Sequence, residues 1–259
     1  MTQAERRSYL IQELLAERTQ YRGLSVPTDT AGQKQFLRAL MNVRMPGPVS
    51  EEFLAVQDEY LQEELARRGI TNLTDLRPVS EGIYLWQGDI TTLRCDAIVN
   101  AANSGMTGCY IPCHNCIDNC IHTYAGVQLR QACAGLMREQ GREEETGGAR
   151  LTGAYNLPCK YVLHTVGPIL TGPLTQREED QLASCYRSCL ALAERNGIKS
   201  IAFCCISTGE FHFPNGRAAE IAVQAVKEHQ AGQNSKTQVI FNVFKDIDYK
   251  IYKNLLRAG

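Results

Sequence analysis

From about residue 83 onward the chain alternates between two kinds of segment, and that alternation restricts its fold more than any other feature. IYLWQG, DAIVNAA, YVLHTVG, SIAFCCIS and QVIFNVF are short apolar runs rich in β-branched residues. Their length suits strands, and their lack of polar alternation suits strands buried on both faces. Helical patterns lie between them, near residues 119–137, 176–196, 214–229 and 247–257. Strands of this kind alternating with helices predict an α/β sandwich with a largely parallel sheet. Ligands of such sheets bind at the carboxyl ends of the strands. The loops after residues 87, 101 and 206 are therefore the ones to inspect.

The first 75 residues read differently. Residues 3–17 show helical periodicity through Tyr9, Leu10, Leu14 and Leu15, and residues 30–43 repeat it through Phe36, Leu37, Leu40 and Met41, up to RMPGP. Ser50 is placed to cap a third helix that carries Phe53, Leu54, Tyr60, Leu61 and Leu65 and ends before Gly69. The expected division is an all-helical extension over 1–75 and an α/β domain over 76–259. Nothing in the extension looks like a site, so it reads as a packing appendage. Lys plus Arg number 27 against 28 Asp plus Glu, a net charge of −1. That balance argues against a nucleic-acid or anionic-membrane partner; an anionic ligand must be held by a local site. No apolar run approaches the ~18 residues of a membrane span. MTQAERRSYLIQELL has charges on both sides of its short apolar stretch and no small-residue cleavage site, so no signal peptide is read and a cytoplasmic location is expected.

Eleven cysteines are unusual for such a chain. In a reducing compartment they act as thiols, metal ligands or catalysts rather than disulfides. Cys109, Cys113, Cys116 and Cys120 cluster in one short stretch that holds His114 and is closely followed by His122. The other seven are scattered and read as small core hydrophobes. After the first apolar run comes Gly88-Asp89-Ile90-Thr91, and after the second Asn100-Ala-Ala-Asn103. After the fourth comes Ser207-Thr208-Gly209-Glu210-Phe211, before a helix. A Ser/Thr/Gly stretch entering a helix can offer several backbone N–H groups to a phosphate without help from Lys or Arg.

Taken in order, GDITTLRCDAIVNAAN, YNLPCKYVLHTVGP, ISTGEFHFPNGRAAEIAV and VIFNVFKDIDYKIY closely resemble the macrodomain family, which binds ADP-ribose. The resemblance covers residues 83–257 and implies a three-layer α/β/α sandwich with a mixed, largely parallel sheet. It also implies that Asp89 accepts a hydrogen bond from the adenine amino group, with the Ile90 backbone beside the diphosphate. Asn103 would hold the distal ribose, and Ser207, Thr208, Gly209, Glu210 and Phe211 would wrap the diphosphate. Asp89 is acceptor-only and suits an amine, while Asn103 both donates and accepts and suits sugar hydroxyls.

The stretch from Gly108 to Asn119, GCYIPCHNCIDN, further resembles the zinc-dependent macrodomain subfamily, which carries a helical N-terminal extension. That match implies Cys109, His114 and Cys116 as ligands of one zinc per chain. Three protein ligands leave a fourth position open, the catalytic arrangement. Ile117 and Asp118 would wall the distal ribose beside Cys116, and Asp118 could orient a water. The implied catalytic set is Asn103, Cys109, His114, Cys116 and Asp118. Cys113, Cys116 and Cys120 stand at i, i+3 and i+7, so a closed structural site or plain thiols stay open as alternatives. His122 and His164 read as core or capping residues, and His212 lies next to the phosphate loop.

The subfamily resemblance implies a hydrolase that removes mono-ADP-ribose from a modified protein, an acidic side chain being one candidate attachment point. It also implies a sirtuin-like transferase and a lipoyl-carrier protein of the glycine-cleavage H type as partners. Two roles for the zinc remain open, polarising a substrate oxygen or activating a water. A non-catalytic ADP-ribose reader with structural zinc and an O-acetyl-ADP-ribose deacetylase are the rival functions.

Overall fold

The computed structural model describes residues 1–233 and 235–257. Three helices open the chain: α1 (Gln3–Ala16), α2 (Thr30–Val43) and α3 (Glu51–Arg68). Each begins on a side-chain cap that satisfies a backbone N–H which the helix itself cannot. Thr2 forms a capping box with Glu5, Asp29 accepts from the Gly32 N–H, and Ser50 accepts from the Phe53 N–H. Gly69, at φ +82°, ends α3. Leu10, Ile11, Leu14, Leu37, Leu40, Met41, Phe53, Tyr60 and Leu61 form a small core, which Val127 of the following domain completes.

The main sheet has the order β2-β3-β9-β8-β5-β7-β6. Its strands are β2 (Pro78–Ser80), β3 (Ile83–Gln87), β5 (Ala97–Ala102), β6 (Ala149–Gly153), β7 (Tyr161–Val166), β8 (Ser200–Phe203) and β9 (Gln238–Val243). The five inner strands are mutually parallel, and β2 and β6 run antiparallel at the edges. Two short strands, β1 (Thr71–Asn72) and β4 (Leu93–Arg94), pair separately. On one side α6 (Gln176–Arg195), α7 (Asn215–Gln233) and α8 (Asp246–Arg257) pack on each other; on the other lie α4 (Ile117–Ala125) and α5 (Val127–Gln140). Ile98, Val99, Val162, Leu163, Ile201, Ala202, Val239 and Ile240 are wholly buried. The architecture is the expected three-layer sandwich with the helical extension packed on α4.

Two local differences from the sequence reading have physical causes. The edge strand β6 carries ARLTG, which lacks the continuous apolar character of β5 and β7 because its faces are only partly covered. The helix expected over 119–137 is two helices, separated at Gly126 with φ +95°; a Cβ there would run into the side chains of Gln57, Gln128 and Asn156. Of the seven scattered cysteines six are buried and Cys205 is half-buried, as core residues should be. Among the described residues, no helix is long and apolar enough to cross a membrane.

Candidate active site

The turn after β3 is built on Asp89. Gly88 precedes it because any Cβ there would strike the Trp86 ring. Asp89 caps the single turn of 3-10 helix over Ile90–Thr92: its Oδ1 accepts from the Thr91 N–H at 2.9 Å and from the Thr91 hydroxyl at 2.6 Å. Its Oδ2 accepts from Arg68 Nη1 at 3.0 Å, and the same nitrogen donates to Thr91 Oγ1 at 2.8 Å. Arg68 closes α3 and lies over the Tyr124 ring of α4, 3.6 Å from its centroid. A carboxylate has about four acceptor sites. The three bonds leave one open, on a side chain that is still 41% exposed.

At the end of β5, Asn100 is wholly buried and donates to Asp118 Oδ1 at 2.8 Å. Asn103 donates to the Gly108 carbonyl at 3.1 Å and lies 3.4 Å from Asp118 Oδ2. Burial raises the Asp118 carboxyl to about 6, against the opposing pull of Asn100 and Arg130. The loop that follows brings Cys109, His114 and Cys116 together, with one donor atom from each within 4.8 Å of the others. Cys109 Sγ is 3.5 Å from His114 Nδ1. Cys116 caps α4 by accepting from the Asn119 N–H, and burial pushes its thiol upward, so without a cation it is a poor thiolate. Two thiols and an imidazole suit a borderline-soft divalent cation such as zinc. The other imidazole nitrogen of His114 lies 3.6 Å from the exposed Glu210 carboxylate, close enough to make the two loops neighbours but beyond a hydrogen bond.

Cys113 and Cys120 stand apart from this set. Helix α4 begins only at Ile117, so 113, 116 and 120 do not share a helical face. Cys113 sits at φ +54° and donates its thiol to the Gln35 carbonyl at 3.3 Å, while Cys120 faces Arg38. A second trio, His122, Cys133 and His164, also lies within 4.8 Å and is fully buried. Here the His164 ring is already engaged, by Asn100 at 3.2 Å and Thr152 at 2.9 Å. Burial keeps it neutral down to about pH 4. This trio belongs to the polar interior of the fold.

The loop after β8 adjoins the cysteine loop and supplies a further part of the candidate site. Ser207, at φ +63°, is buried against Gly167 with its hydroxyl unpartnered. The Phe213 N–H returns to the Ser207 carbonyl at 2.9 Å, and Leu170 N–H binds the Phe211 carbonyl at 3.0 Å. Among the described residues the backbone N–H groups of Gly209, Glu210 and Phe211 find no protein acceptor. Three consecutive free donors can cradle an anion. Glu210 meets His114, so this loop and the Cys109–Cys116 loop adjoin. His212 is exposed beside them.

Residues 99–222 match the family described as Macro domain. The chain is 60% identical over 260 residues to a protein-ADP-ribose hydrolase of Treponema medium, covering 99% of this chain and 100% of that one. The protein belongs to the macrodomain family. It is also 50% identical over 250 residues to a protein-ADP-ribose hydrolase of Staphylococcus aureus (strain MSSA476), covering 96% of this chain and 94% of that one. Among solved structures it is similar to the Trypanosoma brucei macrodomain in complex with ADP-ribose, at a TM-score of 0.66 and 32% identity, over 85% of this chain and 94% of that one.

Within this macrodomain, sequence reasoning missed residues at both ends of the cleft. Arg68 reaches Asp89, and Arg38 and Asn42 reach the cysteine loop, all from the extension read as a packing appendage. Arg68 follows Arg67 in the last turn of α3, where basic residues complement the helix dipole, and that role hid the other. The exposed Phe244 directly follows β9, whose last residue accepts from the Gly88 N–H, so it stands next to the Gly88–Asp89 turn. Applying the carboxyl-end rule to this fifth parallel strand would have found it.

Proposed function

We propose that the protein is a zinc-dependent protein-ADP-ribose hydrolase, located in the cytoplasm, that removes mono-ADP-ribose from modified protein. The observation that carries the reading is the Cys109–His114–Cys116 set, which ends two residues before Asp118 and lies next to the loop whose N–H groups at 209–211 are free. The relatives of Treponema medium and Staphylococcus aureus, matched nearly end to end, are protein-ADP-ribose hydrolases and support the same reading.

In this proposal the open acceptor site of Asp89 takes the adenine amino group, with the Ile90 backbone alongside. The N–H groups of Gly209, Glu210 and Phe211 hold the diphosphate, with Ser207 and Thr208 shaping the loop. These contacts fix the ADP moiety so that the distal ribose lies against Asn103, Ile117 and Asp118. Asn103 holds a ribose hydroxyl, and Asp118, itself held by Asn100, orients the attacking water. Cys109, His114 and Cys116 would hold one zinc, which would supply Lewis acidity toward a substrate oxygen or a water. Glu210, next to the His114 ring, would steady it from the side of the diphosphate loop. The partners in this reading are a sirtuin-like transferase that adds the group and a lipoyl-carrier protein of the glycine-cleavage H type that bears it, on an acidic side chain.

The test is release of ADP-ribose from mono-ADP-ribosylated protein by the full chain, before and after chelation, with ADP-ribose binding followed in parallel. Chelation should stop release and leave binding. Full release by the zinc-free protein would remove the zinc reading, and no release by the zinc-loaded protein would leave an ADP-ribose reader. Preference for O-acetyl-ADP-ribose over the modified protein would make it a deacetylase.

A further inference from the structure

The loop that brings the three ligand side chains together has no regular structure, and its one left-handed residue, Cys113, is a β-carbon-bearing residue at φ +54°. Such a conformation persists only where the surroundings hold it. Helix α2 of the extension supplies that hold. Asn42, 1% exposed, accepts from the Cys113 N–H at 2.9 Å and donates to Thr123 Oγ1 of α4 at 2.9 Å. Arg38 donates through Nη2 to the His114 carbonyl at 2.6 Å and to Asn119 Oδ1 at 3.1 Å. Asn119 in turn donates to the carbonyls of Cys109 at 3.3 Å and Ile111 at 3.0 Å. One guanidinium thus reaches the backbone of one ligand directly and that of a second through a single buried amide.

The far side of the loop is tied to the same helix. Arg130 lies over the Tyr110 ring, 4.3 Å from its centroid, and donates to the carbonyls of Met41 at 3.2 Å, Asn42 at 2.7 Å and Arg44 at 2.6 Å, the exposed carbonyl end of α2. Among the described residues, then, the loop is tied to α2 by Arg38 and Asn42, to α4 by Asn119, and to α5 by Arg130, which is itself anchored on the end of α2. What distinguishes Arg38 from the other polar ties of this interface is its target, a peptide on the link between two of the three ligand residues.

We propose that Arg38 and Asn42 are positioning residues for the metal: α2 holds the 109–116 loop in its ligating shape, which makes the helical extension a part of the active site. The proposal rests on the zinc reading above. Outer partners of metal ligands commonly set affinity by about 10- to 100-fold. The experiment measures zinc affinity of the full chain by competition with a chromophoric chelator, together with ADP-ribose affinity and the melting temperature of the zinc-free protein. It uses wild type, Arg38→Met, Arg38→Lys and, as the control for the metal reading, Cys116→Ser. Arg38→Met should weaken zinc binding about 10- to 100-fold while ADP-ribose affinity stays within about twofold. Arg38→Lys keeps the charge and enough donors but ends one bond short of Nη2, the single nitrogen that serves both His114 and Asn119, and should fall between Arg38→Met and wild type. A purely structural Arg38 would instead lower the melting temperature and the two affinities together, or change neither affinity, and either result overturns the proposal. If Arg38→Met does not fold, Arg38→Lys binding zinc like wild type overturns it. If wild type binds no zinc, or Cys116→Ser binds it equally well, the zinc reading fails first and takes the proposal with it.

Discussion

Replacing Asp89 by Asn is a nearly isosteric change that tests the adenine end of the cleft. The carboxylate spends three of its acceptor sites inside the protein, two on Thr91 and one on Arg68, and offers one outward. An amide can keep its oxygen on the Thr91 N–H, so the turn over Ile90–Thr92 stays capped. Its NH2 group then faces the Arg68 guanidinium and presents donors where adenine also presents a donor. For stability the loss is one half-exposed ion pair, about 0–1 kcal/mol, which shifts the melting temperature of a chain this size by less than about 4 °C. For binding the loss is a charge-assisted hydrogen bond of about 1.5–3 kcal/mol, a roughly 10- to 150-fold rise in the Kd for ADP-ribose. Titration calorimetry with ADP-ribose and with its inosine counterpart, which lacks the amino group, separates this effect from general damage. Wild type should favour the adenine form, and Asp89→Asn should lose most of that preference while keeping its zinc content. An Asp89→Asn protein that binds ADP-ribose within about twofold of wild type, or discriminates equally well, refutes the assignment.

Other predictions concern the two loops and the interior. A Cβ on Gly209 meets nothing within 4 Å, so Gly209→Val should melt like wild type yet lose ADP-ribose binding by calorimetry, because the backbone there has to approach the diphosphate. Cys116→Ala should lose most of the zinc and all hydrolysis, whereas Cys113→Ala, whose thiol points to Gln35, should keep both by metal analysis and turnover assay. Stripping zinc should shift the melting temperature only modestly, since the sheet has its own core, whereas a structural site contributes about 10 kcal/mol or more to folding. Burial lowers His164 from 6.5 to about 4, so the folded protein refuses a proton that the unfolded chain accepts below about pH 6.5. This contribution is therefore complete above that pH and lost as the pH falls toward 4, by about 2 kcal/mol between pH 7 and 5. Asp118 and His122 titrate over the same range with opposite signs, so the check compares urea unfolding of zinc-free wild type and His164→Gln at those two pH values; an equal pH dependence in the two would show the ring to be solvated.

The interior of the sheet was readable because its strands are buried on both faces and so write continuous apolar runs, as in AIVNAA and YVLHTV. The helices of the extension were readable because Thr2, Asp29 and Ser50 mark their starts with caps. Edge strand β6 was not, since a strand whose faces are only partly covered writes no such run. The resemblance carried Asp89, Asn103 and the cysteine loop into view because those residues fall in contiguous motifs. Arg38 and Arg68 were invisible for the opposite reason. Their partners lie 76 and 21 residues away, and a helical Arg looks the same in sequence whether it faces water or another helix. Asn42 was hidden likewise, since its role depends on a loop 71 residues further on.

Cys116 stands at the start of α4 and Tyr124, under Arg68, two turns further on. At 1.5 Å per residue, those positions are about 12 Å apart along one axis. One ligand residue of the proposed metal set and the ring beneath Arg68, the partner of Asp89, are therefore carried by a single stiff helix. Inserting one residue between them would turn one end by about 100° relative to the other, so the length of α4 gauges the molecule that fits. In the proposed reading, a ligand shortened by one phosphate should reach either end of α4, but not both at once.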